Sequence, residues 1–268
     1  MNRAEAVLAQ LKRRERVRSR IMIVVAHPDD ETIGLGAQLC RFSDALLIHL
    51  TDGAPRDGED AQRQGFATCA DYATARRSEL SAALIEGEAT DVRIASFGIP
   101  DKEAFVDLAG LARRLSACLR RERPAAILTH SYEGGHPDHD AVAFGVHAAC
   151  RGLGGGDPPA IIEMPLYHAR DGHWVINRFL AAHSPELTLW LGEADRLRKR
   201  RMVDCFHTQR DLLARFELDP ERLRQAPAYD FRVPPHAGAL LYESFGWGIR
   251  SDEWRLRAKQ ALDALGLD

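Results

Sequence analysis

The sequence has few cysteines and no long hydrophobic run, and each lack excludes a class of protein. Its five cysteines are odd in number, widely spaced and without a Cys-x-x-Cys pair, which disfavours a disulfide framework and a structural zinc knot. We therefore expect reduced thiols and a cytoplasmic protein. No apolar stretch approaches the ~18 residues of a membrane-spanning helix, and residues 1–20 are too charged for a signal peptide. We expect no transmembrane segment.

A strong net charge is also missing. The formal charge is -3 over 268 residues, so there is no long-range field that would attract a polyanion. We expect no nucleic-acid partner. The basic residues between 12 and 20 are interpreted as a solvated helix face rather than a lipid-binding patch.

Apolar, β-branched runs alternate with segments of helical period along most of the chain. The runs lie at 21–26, 45–51, 92–97, 125–129 and 160–166, and the predicted helices lie at about 32–42, 60–86, 103–122, 139–151 and 193–215. This alternation is typical of a parallel sheet covered by helices on both faces. It predicts an α/β, Rossmann-like three-layer sandwich whose mostly parallel sheet has the order 3-2-1-4-5 at its core.

The length is compatible with a single domain over residues 1–268. From Pro220 onward the alternation fades into a stretch rich in proline and aromatic residues, Tyr229 to Trp247, before an amphipathic helix over 252–265. We therefore predict a core at about 20–215 and a C-terminal extension at about 216–268. The aromatic residues of this extension favour packing onto the body over a role as the wall of a sugar cleft.

Two short runs of histidine and aspartate each follow an apolar run. His27-Pro28-Asp29-Asp30-Glu31 follows residues 21–26, and His136-Pro137-Asp138-His139 follows residues 125–129. In a sheet of the predicted order the first and fourth strands are neighbours, and ligands bind where their carboxyl ends meet. The two runs, far apart in sequence, are therefore expected to meet in one crevice.

Imidazoles and carboxylates in such a crevice are what a hydrolytic metal centre requires. Zinc takes three such ligands and leaves its fourth position to water, so three of these groups can bind a metal and two remain for acid–base work. Bound zinc lowers the pKa of water toward ~7, a second carboxylate accepts the proton, and a free histidine stabilises the oxyanion or protonates the departing amine. These parts fit metal-assisted amide hydrolysis. Helix capping by polar turn residues does not account for both histidine pairs.

The two runs closely resemble the motifs of the LmbE-like (PIG-L) family of zinc-dependent deacetylases, which act on N-acetylglucosamine-type sugars. The resemblance covers about residues 20–150. It implies a Rossmann-like fold and one Zn²⁺ per chain, with His27, Asp30 and His139 as the ligands. It further implies Asp29 as general base and His136 as stabiliser of the oxyanion.

Weaker matches extend this resemblance. They imply that Arg76, in an Arg-x-x-Glu helix, contacts sugar hydroxyls or a phosphate, and that Asp101 binds a sugar hydroxyl. Without the resemblance, Asp101 is equally a helix cap and Arg76 equally a surface ion-pair partner. Fainter matches lie at 50–53 and at 207–209.

One position departs from the family pattern. Some members carry a tyrosine that assists catalysis shortly before the second motif, whereas Gly134 and Gly135 stand there in this chain. Tyr132 is the tyrosine nearest in sequence that could take its place. The remaining histidines, including His130, are left without an assigned role.

The leading hypothesis is an enzyme that removes the acetyl group from a small-molecule or lipid-linked amino sugar by means of zinc-activated water. Two alternatives stay open: a zinc amidase acting on a non-sugar amide, and a non-catalytic sugar- or nucleotide-binding module. A phosphoesterase commonly uses two metals, and the sequence offers ligands for one. The spare carboxylate of Asp29 disfavours a module that only binds. No cofactor besides the metal is expected.

Overall fold

The computed structural model describes residues 2–154, 158–180 and 184–267. Its strands are β1 (Ile21–Val25), β2 (Ala45–Pro55), β3 (Val92–Asp101), β4 (Ala126–His130), β5 (Ala160–Met164), β6 (Tyr167–Arg170), β7 (His173–Ile176), β8 (Glu186–Leu189) and β9 (Glu221–Gln225). Its α-helices are α1 (Arg3–Lys12), α2 (Asp30–Leu35), α3 (Glu59–Arg63), α4 (Cys69–Glu86), α5 (Leu108–Glu122), α6 (Pro137–Arg151), α7 (Glu193–Asp204), α8 (Arg210–Leu213) and α9 (Ser251–Leu265). Short 3-10 turns lie at Leu39–Arg41, His207–Gln209 and Leu241–Ser244.

Seven of these strands form one sheet in the order β3-β2-β1-β4-β5-β9-β8. The strands β1 to β5 are parallel, whereas β9 runs antiparallel to both β5 and β8. The predicted α/β class and the core order 3-2-1-4-5 are thus confirmed. The strands β6 and β7 form a separate antiparallel hairpin.

The side chains of β1 alternate between two hydrophobic cores. Ile21, Ile23 and Val25 belong to one cluster, and Met22 and Val24 belong to the other. A strand of a parallel sheet that is covered on both faces has apolar side chains on both. This explains why residues 21–25 are apolar at every position and fully buried.

Several predicted helices are shorter or interrupted. The segment 60–86 forms α3 and α4, with Gly65 between them at a φ of +79°, a conformation that favours glycine and breaks a helix. The segment 193–215 divides into α7, a 3-10 turn and α8, and the segment 32–42 contributes only α2 and a 3-10 turn. The predicted segments therefore do form helices, but breaks in the backbone conformation shorten or divide them.

The strand β9 was not predicted, because its sequence is charged. Glu221 accepts a hydrogen bond from Lys199 at 2.8 Å, and Arg224 donates to Glu163 at 2.6 Å. All four side chains are buried, and burial of charge is tolerated only when such partners are present. The predicted C-terminal extension thus contributes a strand to the main sheet.

The rest of this C-terminal segment packs on the body and supports the second His/Asp run. The helix α9 lies against α5 and α6, and Nε1 of Trp254 donates to the Pro137 carbonyl oxygen at 3.1 Å. Tyr242 is buried, in agreement with the predicted packing. Phe245 and Trp247 instead line the cavity described below.

The N-terminal helix α1 packs onto the first core through Ala4, Val7 and Leu11. Residues 12–16, which carry most of the basic run, are exposed to solvent as predicted, but α1 ends at Lys12, so the predicted helix face is wrong for the rest of the run. Across the ranges that the structure describes, no helix has the length and apolar character needed to cross a membrane.

Candidate metal centre

The two His/Asp runs meet at the carboxyl ends of β1 and β4. These strands pair in parallel, with Val24 opposite Thr129, so the turns that follow them are adjacent. Pro137 is the first residue of α6, where its missing N–H leaves no hydrogen bond unmade. Five predicted site residues are buried and line one cavity: His27, Asp29, Asp30, His136 and His139.

Three side chains from the two runs converge. His27 Nδ1 lies 3.3 Å from His139 Nε2. Asp30 Oδ2 lies 3.4 Å from His27 Nδ1, and the other oxygen of this carboxylate, Oδ1, lies 3.3 Å from His139 Nε2. A tetrahedral zinc ion with bonds of about 2.0–2.1 Å separates neighbouring ligand atoms by about 3.4 Å. Two imidazole nitrogens and the Asp30 carboxylate lie at about this spacing. Two overlapping sets also have ligand atoms within 4.8 Å of one another: His27, His136 and His139, and Asp30, His130 and His139.

Hydrogen bonding at the other ring nitrogen leaves Nδ1 of His27 available to a metal. Its Nε2 lies 2.9 Å from Asp101 Oδ1 and 3.5 Å from Asp138 Oδ2, so Nε2 carries a proton and donates it. Burial disfavours both charges, but the attraction between Asp101 and the protonated His27 ring raises the pKa of His27 and holds the pKa of Asp101 well below its ordinary value; a metal at Nδ1 would replace the second ring proton. A carboxylate behind a ligating imidazole orients the ring and raises its basicity.

The lone pair of Nδ1 in His136 is already used by the backbone. It accepts the N–H of Asp138 at 3.2 Å, and burial lowers the pKa of the ring well below its ordinary value. The neutral ring therefore carries its proton on Nε2, which leaves that nitrogen without a lone pair for a metal. The His136 ring lies 5.2 Å from the His139 ring, centroid to centroid. Its N–H is a hydrogen-bond donor beside the three converging atoms.

Asp29 is held by an arginine and by an unusual backbone conformation. Its φ of +142° and ψ of -26° are rarely adopted by residues with a side chain, and such strain costs about 1–3 kcal/mol and is common at functional sites. Arg76 donates to Asp29 Oδ2 at 2.8 Å, and to the carbonyl oxygens of Pro28 at 2.9 Å and Gly53 at 2.7 Å. Burial raises the pKa of Asp29, and the guanidinium of Arg76 acts against this by stabilising the charged carboxylate.

The weaker sequence matches also lie close to this arginine. Gly53 has a φ of +68°, and a Cβ there would lie 2.5 Å from Nη1 of Arg76, so glycine is required beside the guanidinium. Glu79, three residues after Arg76, accepts from the backbone N–H of Thr208 at 2.9 Å and from its hydroxyl at 2.6 Å. The Arg-x-x-Glu helix thus fixes both Asp29 and the segment 207–209.

Two buried side chains near the metal centre were missed. His130 Nε2 accepts the Ala26 N–H at 3.1 Å, and the His130 ring stacks on His139 at 4.2 Å between centroids. Burial lowers the pKa of His130 to about 4, so it is a neutral support for the turn and for the His139 ring. Asp138 accepts the Lys102 N–H at 2.7 Å, which joins the loop after β3 to the site. Asp138 stands within the second His/Asp run and His130 ends β4, and these positions are the signal that could have identified them.

Tyr132 lies away from the cavity and does not replace the family's tyrosine. Its hydroxyl donates to the Val233 carbonyl oxygen at 2.9 Å, and its ring belongs to the second core. Gly135 is needed because a Cβ there would lie 1.9 Å from the Tyr167 carbonyl oxygen. Tyr167 itself lines the cavity, with its ring 5.3 Å from that of His139.

The site opens into a cavity of about 550 Å³. Arg76 and Asp101 both line it, although each already has a partner in the protein, Asp29 and His27 respectively. The predicted ligands, the predicted base and the two predicted substrate-binding residues are therefore all present around one space. Such a cavity is large enough for a ligand of several hundred daltons.

Residues 22–150 match the family model described as PIG-L: GlcNAc-PI de-N-acetylase. Two curated relatives are named 1D-myo-inositol 2-acetamido-2-deoxy-alpha-D-glucopyranoside deacetylase. The protein from Nocardioides sp. is 32% identical over 152 residues, which are 45% of this chain and 50% of that protein. The protein from Rhodococcus jostii is 31% identical over 163 residues, which are 52% and 56% of the two chains. The chain thus spans about half the length of the curated relatives it matches.

Solved structures share the fold at low sequence identity. The zinc-inhibited form of the teicoplanin deacetylase Orf2 has a TM-score of 0.60 at 15% identity, over 77% of this chain and 97% of that chain. The N,N'-diacetylchitobiose deacetylase from Pyrococcus horikoshii has a TM-score of 0.55 at 16% identity, over 79% of each chain. The match of residues 22–150 to the PIG-L family model agrees with the fold and with the resemblance of the two motifs.

Proposed function

We propose that the protein is a zinc-dependent hydrolase that removes the acetyl group from an N-acetylated amino sugar or sugar conjugate. The observation that carries this proposal is the convergence of His27 Nδ1, the Asp30 carboxylate and His139 Nε2 at 3.3–3.4 Å. The names of the curated relatives, deacetylases of an acetamido-deoxy-glucopyranoside, support the substrate class.

His27, Asp30 and His139 would hold one Zn²⁺ per chain. Imidazole nitrogens suit zinc better than they suit Mg²⁺ or Ca²⁺, which prefer oxygen ligands. When bound, zinc lowers the pKa of water toward ~7 and polarises the carbonyl of the scissile amide.

Asp29 would serve as the general base, and Arg76 positions it. The carboxylate takes a proton from the water that attacks the amide carbon and returns it to the nitrogen as the carbon–nitrogen bond breaks. His136 would donate its Nε2–H to the oxygen that gains negative charge. The products are acetate and a free amine, and Asp29 ends in its starting state.

Arg76 and Asp101 are also proposed to contact the substrate, because both line the cavity. The substrate would be a small or lipid-linked amino sugar, and the cysteine pattern of the sequence supports the cytoplasm as the compartment. We further propose a single domain over residues 1–268, because the main sheet draws strands from both the predicted core and the predicted extension.

The test is acetate release from a panel of N-acetylated sugars and sugar conjugates, measured on zinc-loaded protein. We expect release from at least one member, its loss on treatment with a chelator and its return with added Zn²⁺. Non-sugar acetamides are assayed beside the panel, and release from these alone would instead indicate a zinc amidase. Binding of the sugars without any release of acetate would indicate a module that only binds.

A further inference from the structure

The cavity has a second end, built by residues outside the family match. Four aromatic side chains line this end and are called the aromatic wall: Tyr167, Trp174, Phe245 and Trp247. They come from the hairpin of β6 and β7 and from the segment after the 3-10 turn at Leu241–Ser244. Residues 22–150 thus supply the metal end, and later residues supply the wall.

The aromatic wall is continuous with the metal centre. Six rings that line the cavity follow one another in a closed circuit: His139, Tyr167, Trp174, Phe245, Trp247 and His136. The centroids of successive rings lie 4.7–5.7 Å apart. A group attached to an amide at the metal centre therefore meets apolar ring surface directly beside the ligands.

Polar side chains also line the cavity near the wall, among them Asp211 and Arg215, whose guanidinium lies over the Trp174 ring at 5.1 Å. Two others have partners in the protein. Lys102 lies over the Trp247 ring at 4.8 Å and pairs with Asp57 at 3.2 Å. Gln209 donates to the Tyr72 hydroxyl at 2.6 Å. Leucine side chains, including Leu166, complete this end, which offers burial of apolar surface more than recognition of hydroxyl groups.

We propose that the aromatic wall binds an extended apolar group of the substrate, carried next to the scissile amide, and that it selects such substrates over plain N-acetylglucosamine. This inference rests on the proposed amide hydrolysis at the metal centre. The apolar group has two possible points of attachment: the glycosidic oxygen of an N-acetylated sugar, or the acyl side of the amide.

A panel with two arms tests the proposal and distinguishes the attachments. One arm compares acetate release from the methyl and octyl glycosides of N-acetylglucosamine. The other compares release of free glucosamine from N-acetylglucosamine, which also yields acetate, and from N-octanoylglucosamine, which also yields octanoate. Each methylene that enters the wall is expected to raise kcat/KM about fourfold, so one arm should show a preference of at least tenfold. A difference below about threefold in both arms, less than one buried methylene supplies, would overturn the proposal.

Substitutions in the aromatic wall test whether these rings cause the preference for the octyl substrate. Trp174→Ala and Phe245→Ala are expected to reduce the octyl-to-methyl ratio of kcat/KM at least tenfold, chiefly through KM. Trp190→Ala is the matched control, because Trp190 is 68% exposed and does not line the cavity; it should leave the ratio unchanged. An equal loss with both substrates would mean that the rings stack on the sugar, which contradicts the proposal.

Measurements of glucoside binding test the aromatic wall independently of the proposed hydrolysis. Calorimetry of octyl and methyl glucoside on the zinc-loaded Asp29→Asn variant gives the same comparison without turnover. Tighter binding of the octyl compound supports the wall even if no amide is hydrolysed, a result that would overturn only the proposed function. Equal binding of the two compounds excludes the glycosidic attachment, and together with no preference for N-octanoylglucosamine it contradicts the wall, even if the methyl glycoside of N-acetylglucosamine is deacetylated.

Discussion

Arg76 and Asp29 form a buried ion pair in which Nη2 lies 2.8 Å from Oδ2. The arginine lies on α4 and the aspartate lies in the turn after β1. The guanidinium also donates to the carbonyl oxygens of Pro28 and Gly53, so its direction is fixed. The pair therefore links the stability of the turn to the position of the proposed base.

Arg76→Ala is expected to reduce both activity and stability. A catalytic group displaced by about 1 Å costs about 10²-fold in rate, and a buried charge left without its partner costs about 3–5 kcal/mol. Acetate-release kinetics and urea denaturation measure the two effects. Arg77→Ala, at the exposed neighbouring position, is the control and should alter neither. Wild-type kcat in a folded Arg76→Ala protein would exclude the positioning role.

Asp29→Asn is expected to reduce kcat by about 10²–10⁴-fold, the usual contribution of a general base. The zinc content should not change, because Asp29 is not one of the three converging donors. Metal analysis beside the kinetics separates the two roles. Loss of zinc in this variant would mean that the ligand and base roles of Asp29 and Asp30 are exchanged.

His136→Ala should slow turnover by about 10²–10³-fold, as removal of one oxyanion donor does. Its Nδ1 is used by the Asp138 N–H, so the metal should remain. Single-turnover kinetics and zinc analysis check both expectations. A variant with wild-type kcat would refute the donor role, and an empty metal site would make His136 a ligand.

Gly135→Ala is expected to destabilise the fold, because the new Cβ would lie 1.9 Å from the Tyr167 carbonyl oxygen. Backbone cannot move aside as a flexible side chain does, so we expect a loss of at least about 1–3 kcal/mol. Thermal unfolding followed by circular dichroism measures it. Gly152→Ala, whose Cβ would come no closer than 3.3 Å to another atom, serves as the control. Equal Tm values for the two variants would show that β6 does not approach Gly135 closely.

The features that were predictable from the sequence are those set by local pattern. The continuous apolar run over 21–25 indicates a strand that is buried on both faces. Each His/Asp run directly follows such a strand. Strand order then brings the runs together. His27, Asp30 and His139 could therefore be placed in one crevice before any coordinates were known.

The features that were missed depend on partners distant in sequence. The sequence of β9 is charged. It can lie in the sheet because Glu221 pairs with Lys199 and Arg224 pairs with Glu163. Tyr167 lines the cavity because β6 passes Gly135 closely. The periodicity of a local segment does not indicate contacts between residues so far apart in the sequence.

The zinc content of the purified protein, measured beside that of His139→Ala, tests the central claim most directly. His173→Ala, at an exposed position on β7, is the control, and circular dichroism verifies that each variant is folded. We expect about one zinc ion per chain in the wild type and the control, and almost none in His139→Ala. A folded His139→Ala protein that keeps wild-type zinc, or a wild type that binds none, would contradict it.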